Sequence, residues 1–303
     1  MRMMAKTILA LLLTGCCFSN DNPYVVVLGI AQDGGAPHAG CERSCCIELW
    51  KTGEKEKVSC IGIVDPISKQ SWMIDATPDF ASQYRILTEE HETKLVGIFL
   101  THAHMGHYTG LLHLGREVMG RKNVPIYAME RMKGFLENNG PWNQLVTLKN
   151  IELRLIKDSK EMKIGSQLFI EPFIVPHRDE YSETVGYRIM GENSSLVFIP
   201  DIDKWDKWHQ SIFQLVLNTD IALLDGTFYS QDEIPNRDMS EIPHPFIIES
   251  MDALFDLSTT NRNKVRFIHL NHSNPAMKKN SPAYNFIRSK RFNVTSEGDR
   301  FNL

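Results

Sequence analysis

Residues 95–107 read Leu-Val-Gly-Ile-Phe-Leu-Thr-His-Ala-His-Met-Gly-His. Leu95 to Leu100 is a short apolar run that stops at Thr101-His102, the pattern of a buried strand. In an extended or turning segment side chains alternate with period two, so His102 and His104 project to one side. His107 returns at the start of the following helix, predicted over Thr109 to Met119 with Leu111, Leu112, Leu114 and Val118 as its apolar positions. Neutral imidazole is a common ligand for zinc-like ions, and a strand end is rigid enough to aim it. A lone histidine after a strand is more often structural. Three within six residues point to a metal.

One cluster rarely closes a site, so further ligands are expected at other strand ends. His177 follows the apolar run LFIEPFIVP, Asp201 follows LVFIP, and His269 follows VRFI. Any one of them alone reads as a turn cap; in this order after the first cluster they read as a set. Further strands are predicted at 24–30, 58–64, 71–74, 124–128, 151–156, 167–175, 183–190, 195–199 and 221–224. The 71–74 strand ends at Asp75 and the 221–224 strand at Asp225. Helices are predicted from Pro78-Asp79 to about Glu90, with Asp79 in the first turn where negative charge is favoured, and at about 130–137, 203–217 and 246–257. His91, His113 and His209 fall on predicted helices and are read as structural. Strands and helices interleaved, with polar residues at strand ends, imply layered α/β packing without a separating linker.

The remaining composition narrows the class. Of 303 residues, 42% are apolar and 23% charged, an ordinary globular balance. The formal charge is −4, from 33 basic and 37 acidic residues, and no Lys/Arg block is present. That argues against a nucleic-acid partner and for a small-molecule substrate. The oligomeric state is not legible.

The N-terminal segment reads as a targeting sequence. Arg2 and Lys6 precede a short apolar run from Thr7 to Leu13, too short to span a bilayer. Leu13-Thr14-Gly15-Cys16 resembles a bacterial lipobox, with Cys16 as the lipidated residue; a plain signal peptide or a misassigned start are the alternatives. The expected organisation is a leader over residues 1–16, a tether over 17–23 and one domain over 24–303. The expected location is the bacterial periplasm or cell envelope, with a lipid anchor as the sole membrane contact.

The ordered set of histidines and aspartate resembles the metallo-β-lactamase fold superfamily. Its hallmark is His-x-His-x-Asp-His after a strand, then a His, an Asp and a final His at later strand ends. The resemblance covers about Tyr24 to the C-terminus. It implies an α/β fold, a four-layer αβ/βα sandwich of two mixed β-sheets flanked by helices. It also implies that one metal takes His102, His104 and His177, that a second takes His107 and His269, and that Asp201 bridges them. Asp75 would support the site through hydrogen bonds. Gly106 stands where the family has Asp, so one tight ion is expected and a second that is weaker or absent. Zinc is the first expectation, with manganese or iron as alternatives. His269 and His272 compete for the last ligand; the strand-end position favours His269, with His272 beside the site.

Further motifs resemble two branches of that superfamily. Gly34-Gly35-Ala36-Pro37-His38, followed by Cys41, Cys45 and Cys46, looks like the cysteine-rich insertion of the pyrroloquinoline-quinone biosynthesis B protein and of the cyclic phosphodiesterase of phosphonate breakdown. Both carry a structural zinc there. Cys60 or His38 would then be the fourth ligand, and a Cys45–Cys60 or Cys41–Cys60 disulfide is the rival in an oxidising compartment. Asp225-Gly226-Thr227-Phe228-Tyr229, Asp232-Glu233 and Asn271-His272-Ser273-Asn274-Pro275 look like the quinone-biosynthesis branch. That branch typically has weakened histidines in the first cluster, which this chain keeps. His244 matches a region that supplies an active-site histidine in the phosphodiesterase; it is read as a general acid or as a surface histidine between Pro243 and Pro245. The resemblance implies metal-assisted hydrolysis of a phosphodiester or other small ester-like substrate, with Asp201, or Asp203, handling the attacking water. The alternatives are an oxidative, iron-dependent role in quinone-cofactor biosynthesis and a non-catalytic metal-binding surface lipoprotein.

Overall fold

The structure, a computed structural model, describes residues 22–303. The leader, the Cys16 lipidation site and residues 17–21 of the tether lie outside that range. The strands in chain order are β1 (Tyr24–Gly29), β2 (Cys60–Asp65), β3 (Gln70–Ile74), β4 (Lys94–Phe99), β5 (Val124–Ala128) and β6 (Ile151–Leu155). They continue as β7 (Met162–Lys163), β8 (Phe169–Ile174), β9 (Val185–Met190), β10 (Ser195–Ile199), β11 (Ile221–Asp225), β12 (Val265–Ile268), β13 (Asn293–Val294) and β14 (Arg300–Asn302). They form two seven-stranded sheets, ordered β14-β1-β2-β3-β4-β5-β6 and β13-β12-β11-β10-β9-β8-β7. Each is mixed. The first is antiparallel from β14 to β3 and parallel from β3 to β6; the second is antiparallel from β7 to β10 and parallel from β10 to β13.

Both faces of the central strands are covered. Val25 and Val27 of β1 point between the sheets with Ile61, Ile63, Trp72 and Ile74. Tyr24, Val26 and Leu28 point outward with Met73 and Ile98, under Phe80, Leu87, Leu111 and Met132. Period-two alternation splits each strand between two apolar layers, which is why these strands read as unbroken apolar runs. Each fully buried Leu, Ile or Phe contributes about 1.5–3 kcal/mol relative to exposure.

The sheets are tied together beside the ends of β1, β4 and β12. The buried Tyr187 hydroxyl on β9 donates to the Leu100 carbonyl at 2.6 Å, and Val185 N–H donates to Thr101 O. Leu270 N–H donates to Ile30 O, and Gln32 N–H to Leu270 O. Hydrogen bonds therefore join the two sheets at the residues flanking His102 and His269.

Several elements differ from the sequence expectations. The helix expected over 109–119 is a short α-turn, Met105–Tyr108, followed by a 3₁₀ stretch, Thr109–Leu114. Leu112 and Val118, taken as core positions, are exposed. The helix expected over 203–217 is divided into Trp205–Lys207 and Ile212–Leu217, the second starting where the Ser211 side chain caps the Gln214 N–H; His209 lies in the bend between them. Helices at Ser44–Thr52, Trp142–Thr147 and Pro282–Ser289, and the short strands β7, β13 and β14, were not foreseen. Among the described residues no helix is long and apolar enough to cross a membrane.

Candidate metal centre

The end of β4 delivers His102 in a fixed tautomer. Asp75, buried at the end of β3, accepts from the Thr101 N–H at 2.8 Å and from the Thr101 hydroxyl at 2.9–3.0 Å. The single hydroxyl proton of Thr101 is thus committed to Asp75. Toward His102 Nδ1, 2.9 Å away, the hydroxyl can only accept. His102 therefore carries its proton on Nδ1 and presents the Nε2 lone pair, which faces His104 Nδ1 at 2.9 Å. Asp75 also accepts from His107 Nδ1 at 2.7 Å, which leaves His107 Nε2 facing the centre.

The second sheet repeats the device. Asp225, buried at the end of β11, accepts from the Thr227 N–H and hydroxyl at 2.9 and 2.7 Å. The Thr227 oxygen then accepts from His269 Nδ1 at 2.9 Å, so His269 presents Nε2. The other Asp225 oxygen accepts from His244 Nδ1 at 2.7 Å. Asp75 (φ 71°) and His269 (φ 62°) both hold the left-handed backbone region, which non-glycine residues seldom adopt outside constrained sites.

These atoms meet in one place. Asp201 Oδ2 lies 3.1 Å from His107 Nε2 and 3.2 Å from His269 Nε2, and Asp201 Oδ1 lies 3.7 Å from His177 Nε2. His102, His104 and His177 gather on one side, and His102 and His107 gather with Asp201. Burial pushes the Asp201 carboxyl up, but His269 and His107 outweigh it and hold it well below the usual carboxylate range. Burial likewise opposes charge on His107, yet Asp75 and Asp201 raise it well above its ordinary value. Burial lowers His102 far below 6.5 and His177 to about 4, so both stay neutral.

The donor set fits a cation. Asp201 Oδ2 and His269 Nε2 are buried with no hydrogen-bond partner. With the Nδ1 atoms of His102, His107 and His269 turned to threonine or aspartate, their Nε2 atoms face the centre with the carboxylates of Asp201 and Asp33. Buried polar atoms left unmatched cost about 1–3 kcal/mol each, and a divalent cation satisfies them together.

The rim is more open. His104 Nε2 lies 3.3 Å from Glu180 Oε2 and 3.1 Å from Arg178 Nη2, both on exposed side chains. His244 is buried, which overturns its reading as a surface-loop histidine. Burial lowers its basicity, but the Asp225 carboxylate more than compensates and raises it above 6.5.

The cysteine cluster closes differently from the sequence expectation. Cys41, Cys45, Cys46 and His272 converge; His272 Nδ1 lies 3.4 Å from Cys46 Sγ and 3.6 Å from Cys45 Sγ. His272 thus belongs here, neither beside the histidine centre nor a rival to His269. Cys60 is corrected out of the cluster: it points into the outer layer of the first sheet, with its thiol on the Asp75 carbonyl. His38 is corrected from ligand to neighbour: its ring stacks on His272 at 4.5 Å and its N–H donates to Cys46 Sγ. The four cysteines among the described residues are free, which removes both disulfide pairings. Burial and the neighbouring thiols push Cys46 up to about 12, and burial lowers His272 to about 4. The imidazole is neutral, and a cation would draw the thiols toward thiolate.

Three residues of the centre were not singled out from the sequence. Asp225 stood out only as a strand end and as part of a branch motif, and Thr227 only in that motif. Asp33, in the loop after β1, was not considered. Its Oδ1 lies 3.1 Å from His107 Nε2 and 3.5 Å from His269 Nε2. Like the others it follows a strand, the one signal that pointed to it.

Two facing mixed sheets that gather histidines and an aspartate from their strand ends define a metal-binding αβ/βα sandwich. Helices cover both outer faces. The chain belongs to the β-lactamase superfamily: the family described as Beta-lactamase superfamily domain matches residues 72–270. Similar curated proteins include Coenzyme PQQ synthesis protein B of Gluconobacter oxydans, 24% identical over 92% of this chain and 98% of that protein. Among solved structures, zinc-bound PqqB from Methylobacterium extorquens aligns with a TM-score of 0.76 at 21% identity, covering 92% of this chain and all of that one. A diphosphatase from the PhnP family aligns at 0.66 and 19% identity, covering 93% and 97%.

Proposed function

We propose that the chain is a metal-dependent hydrolase acting on a phosphodiester or another small ester-like substrate. The observation that carries this reading is the convergence of His107 Nε2, His269 Nε2 and the unpartnered Asp201 Oδ2 within 3.2 Å, beside the His102, His104 and His177 group. His102, His104 and His177 would hold one ion, His107 and His269 a second, and Asp201 would lie between them. Ions so held supply Lewis acidity and an attacking water at neutral pH.

The chain's own groups supply the rest. The Asp75–Thr101 and Asp225–Thr227 pairs hold His102, His107 and His269 in ligand tautomers. Asp201 offers a carboxylate to orient the attacking water. His244, with Nδ1–H bound to Asp225, can carry a proton on Nε2 and deliver it to the leaving oxygen. Arg178, exposed beside His104, places positive charge at the rim for an anionic substrate. The likeness to a PhnP-family diphosphatase favours a phosphate-containing substrate within this class.

A second reading is a role like that of Coenzyme PQQ synthesis protein B, supported by similarity over nearly the full length of both chains. Metal content per chain and turnover of a chromogenic phosphodiester separate the two. Hydrolysis that is lost together with the ion in His102→Ala supports the hydrolase. Iron without hydrolysis selects the quinone-biosynthesis reading. Unchanged hydrolysis in both His102→Ala and Asp201→Ala would remove the centre from the chemistry.

A further inference from the structure

We propose that Asp33 is the carboxylate ligand of the second ion site, brought in from the loop after β1 to occupy the space that Gly106 leaves open. The proposal rests on the metal-binding reading of the centre and changes what that centre can hold. With Gly106 in place of an aspartate, the sequence alone leaves the second site one carboxylate short. The structure returns it from a different strand end.

Three observations converge. Asp33 Oδ1 sits 3.1 Å from His107 Nε2 and 3.5 Å from His269 Nε2, so Asp33, His107 and His269 form a ligand group of their own. Second, a Cβ built on Gly106 would fall 2.6 Å from the Asp33 Cα and closer still to its Oδ1. No side chain at 106 can coexist with Asp33 in this position, so a carboxylate from 106 and one from 33 are alternative occupants of one volume. Third, the Asp33 loop is anchored. Ala31 N–H donates to Lys57 O, Ser59 N–H to Ala31 O, Leu270 N–H to Ile30 O and Gln32 N–H to Leu270 O. The last two lace the loop to the residue after His269, so Asp33 and His269 are aimed by the same backbone pairing. An anchored loop holds a ligand with little ordering cost on binding.

The second site then has His107, His269, Asp33 and the shared Asp201: two imidazoles and two carboxylates, a complete four-donor set. The Asp33 side chain is 37% exposed, whereas His107 and His269 are fully buried.

The test is metal binding, read without activity. Full-length wild type, Asp33→Asn, Asp33→Gly and Gly106→Asp are stripped, titrated with zinc by calorimetry, and counted for zinc after dialysis. Circular dichroism reports the fold. Wild type is expected to bind two ions at the histidine centre besides the one at the cysteine cluster. Asp33→Asn and Asp33→Gly should lose one, with its affinity weakened by at least about 10-fold, and keep the other two. Gly106→Asp alone should also lose it, through collision with Asp33. Asp33→Asn or Asp33→Gly with wild-type count and affinities would overturn the proposal. A wild-type chain with no ion at its histidines would overturn the reading of the centre itself.

Discussion

Asp225 shows how much one buried carboxylate can organise. It accepts from Ile202 N–H, Thr227 N–H, the Thr227 hydroxyl and His244 Nδ1–H, and through Thr227 it fixes His269. Asparagine keeps the shape but replaces one acceptor oxygen with a donor and removes the charge. Asp225→Asn is expected to lower turnover about 10–100-fold with most metal retained, the size seen when a group that orients a ligand is lost. His244→Gln should lower kcat about 10²–10⁴-fold with metal content unchanged, least for substrates with acidic leaving groups. A uniform loss across leaving groups would remove His244 from proton delivery. At this scale the sequence disclosed the residues at the ends of apolar runs, because their order after the 102/104/107 cluster reads as a set although each alone reads as a turn cap. It did not disclose Asp225, Thr227 or Asp33. Their roles depend on which proton each hydroxyl commits and which loop lies opposite Gly106, and spacing carries neither.

At the level of elements, the long strands were legible and several of the helices were not, for a physical reason. Strands buried on both faces have no polar option, so β1, β4, β10 and β12 announce themselves as apolar runs. The covering helices bury one narrow stripe, and several are single turns such as Met105–Tyr108, too short for periodicity to register. What aligns the strand ends is the bonding between sheets, and Tyr187 is its sharpest test. The ring is fully buried, lies edge-on to Phe99 at 5.7 Å, and its hydroxyl donates to Leu100 O, two residues before His102. Tyr187→Phe keeps the ring and leaves that carbonyl without this donor. The expected cost is about 1–3 kcal/mol in denaturant unfolding, together with weaker zinc binding at the histidine centre. Stability within error of wild type would deny the link. The helix Ser44–Thr52 depends in the same way on its cysteines. Cys45 and Cys46 lie in its first turn, beside His272 from the loop after β12. Cys46→Ser is expected to lose one zinc per chain and to melt several degrees lower, with the histidine centre still loaded. Retention of all zinc in Cys46→Ser would show that these side chains hold no ion.

Across the whole molecule, two sheets that present rigid ends toward one another concentrate buried titratable groups that an ion keeps compatible. Stripping the metal should therefore make stability steeply dependent on pH, and the direction follows from the shifts. Burial depresses His102 well below 6.5, and His177 and His272 to about 4; His104 and His91 are lowered too. A depressed histidine stays neutral in the fold while the unfolded chain takes up a proton below 6.5. Its contribution is thus present above 6.5 and is lost as pH falls from 6.5 toward 4. His107 and His244 are raised, so their contribution is complete below 6.5 and fades only as pH climbs through their folded values. They cannot offset the acid loss. The chelator-treated chain should lose melting temperature steadily between pH 6.5 and 4. The zinc-loaded chain should hold its stability further into acid and then fall abruptly as protons displace the ion from its imidazoles. Thermal melts of both forms across that range decide the matter. A stripped chain with a flat profile would mean that the histidines are not held neutral by the packing that brings them together.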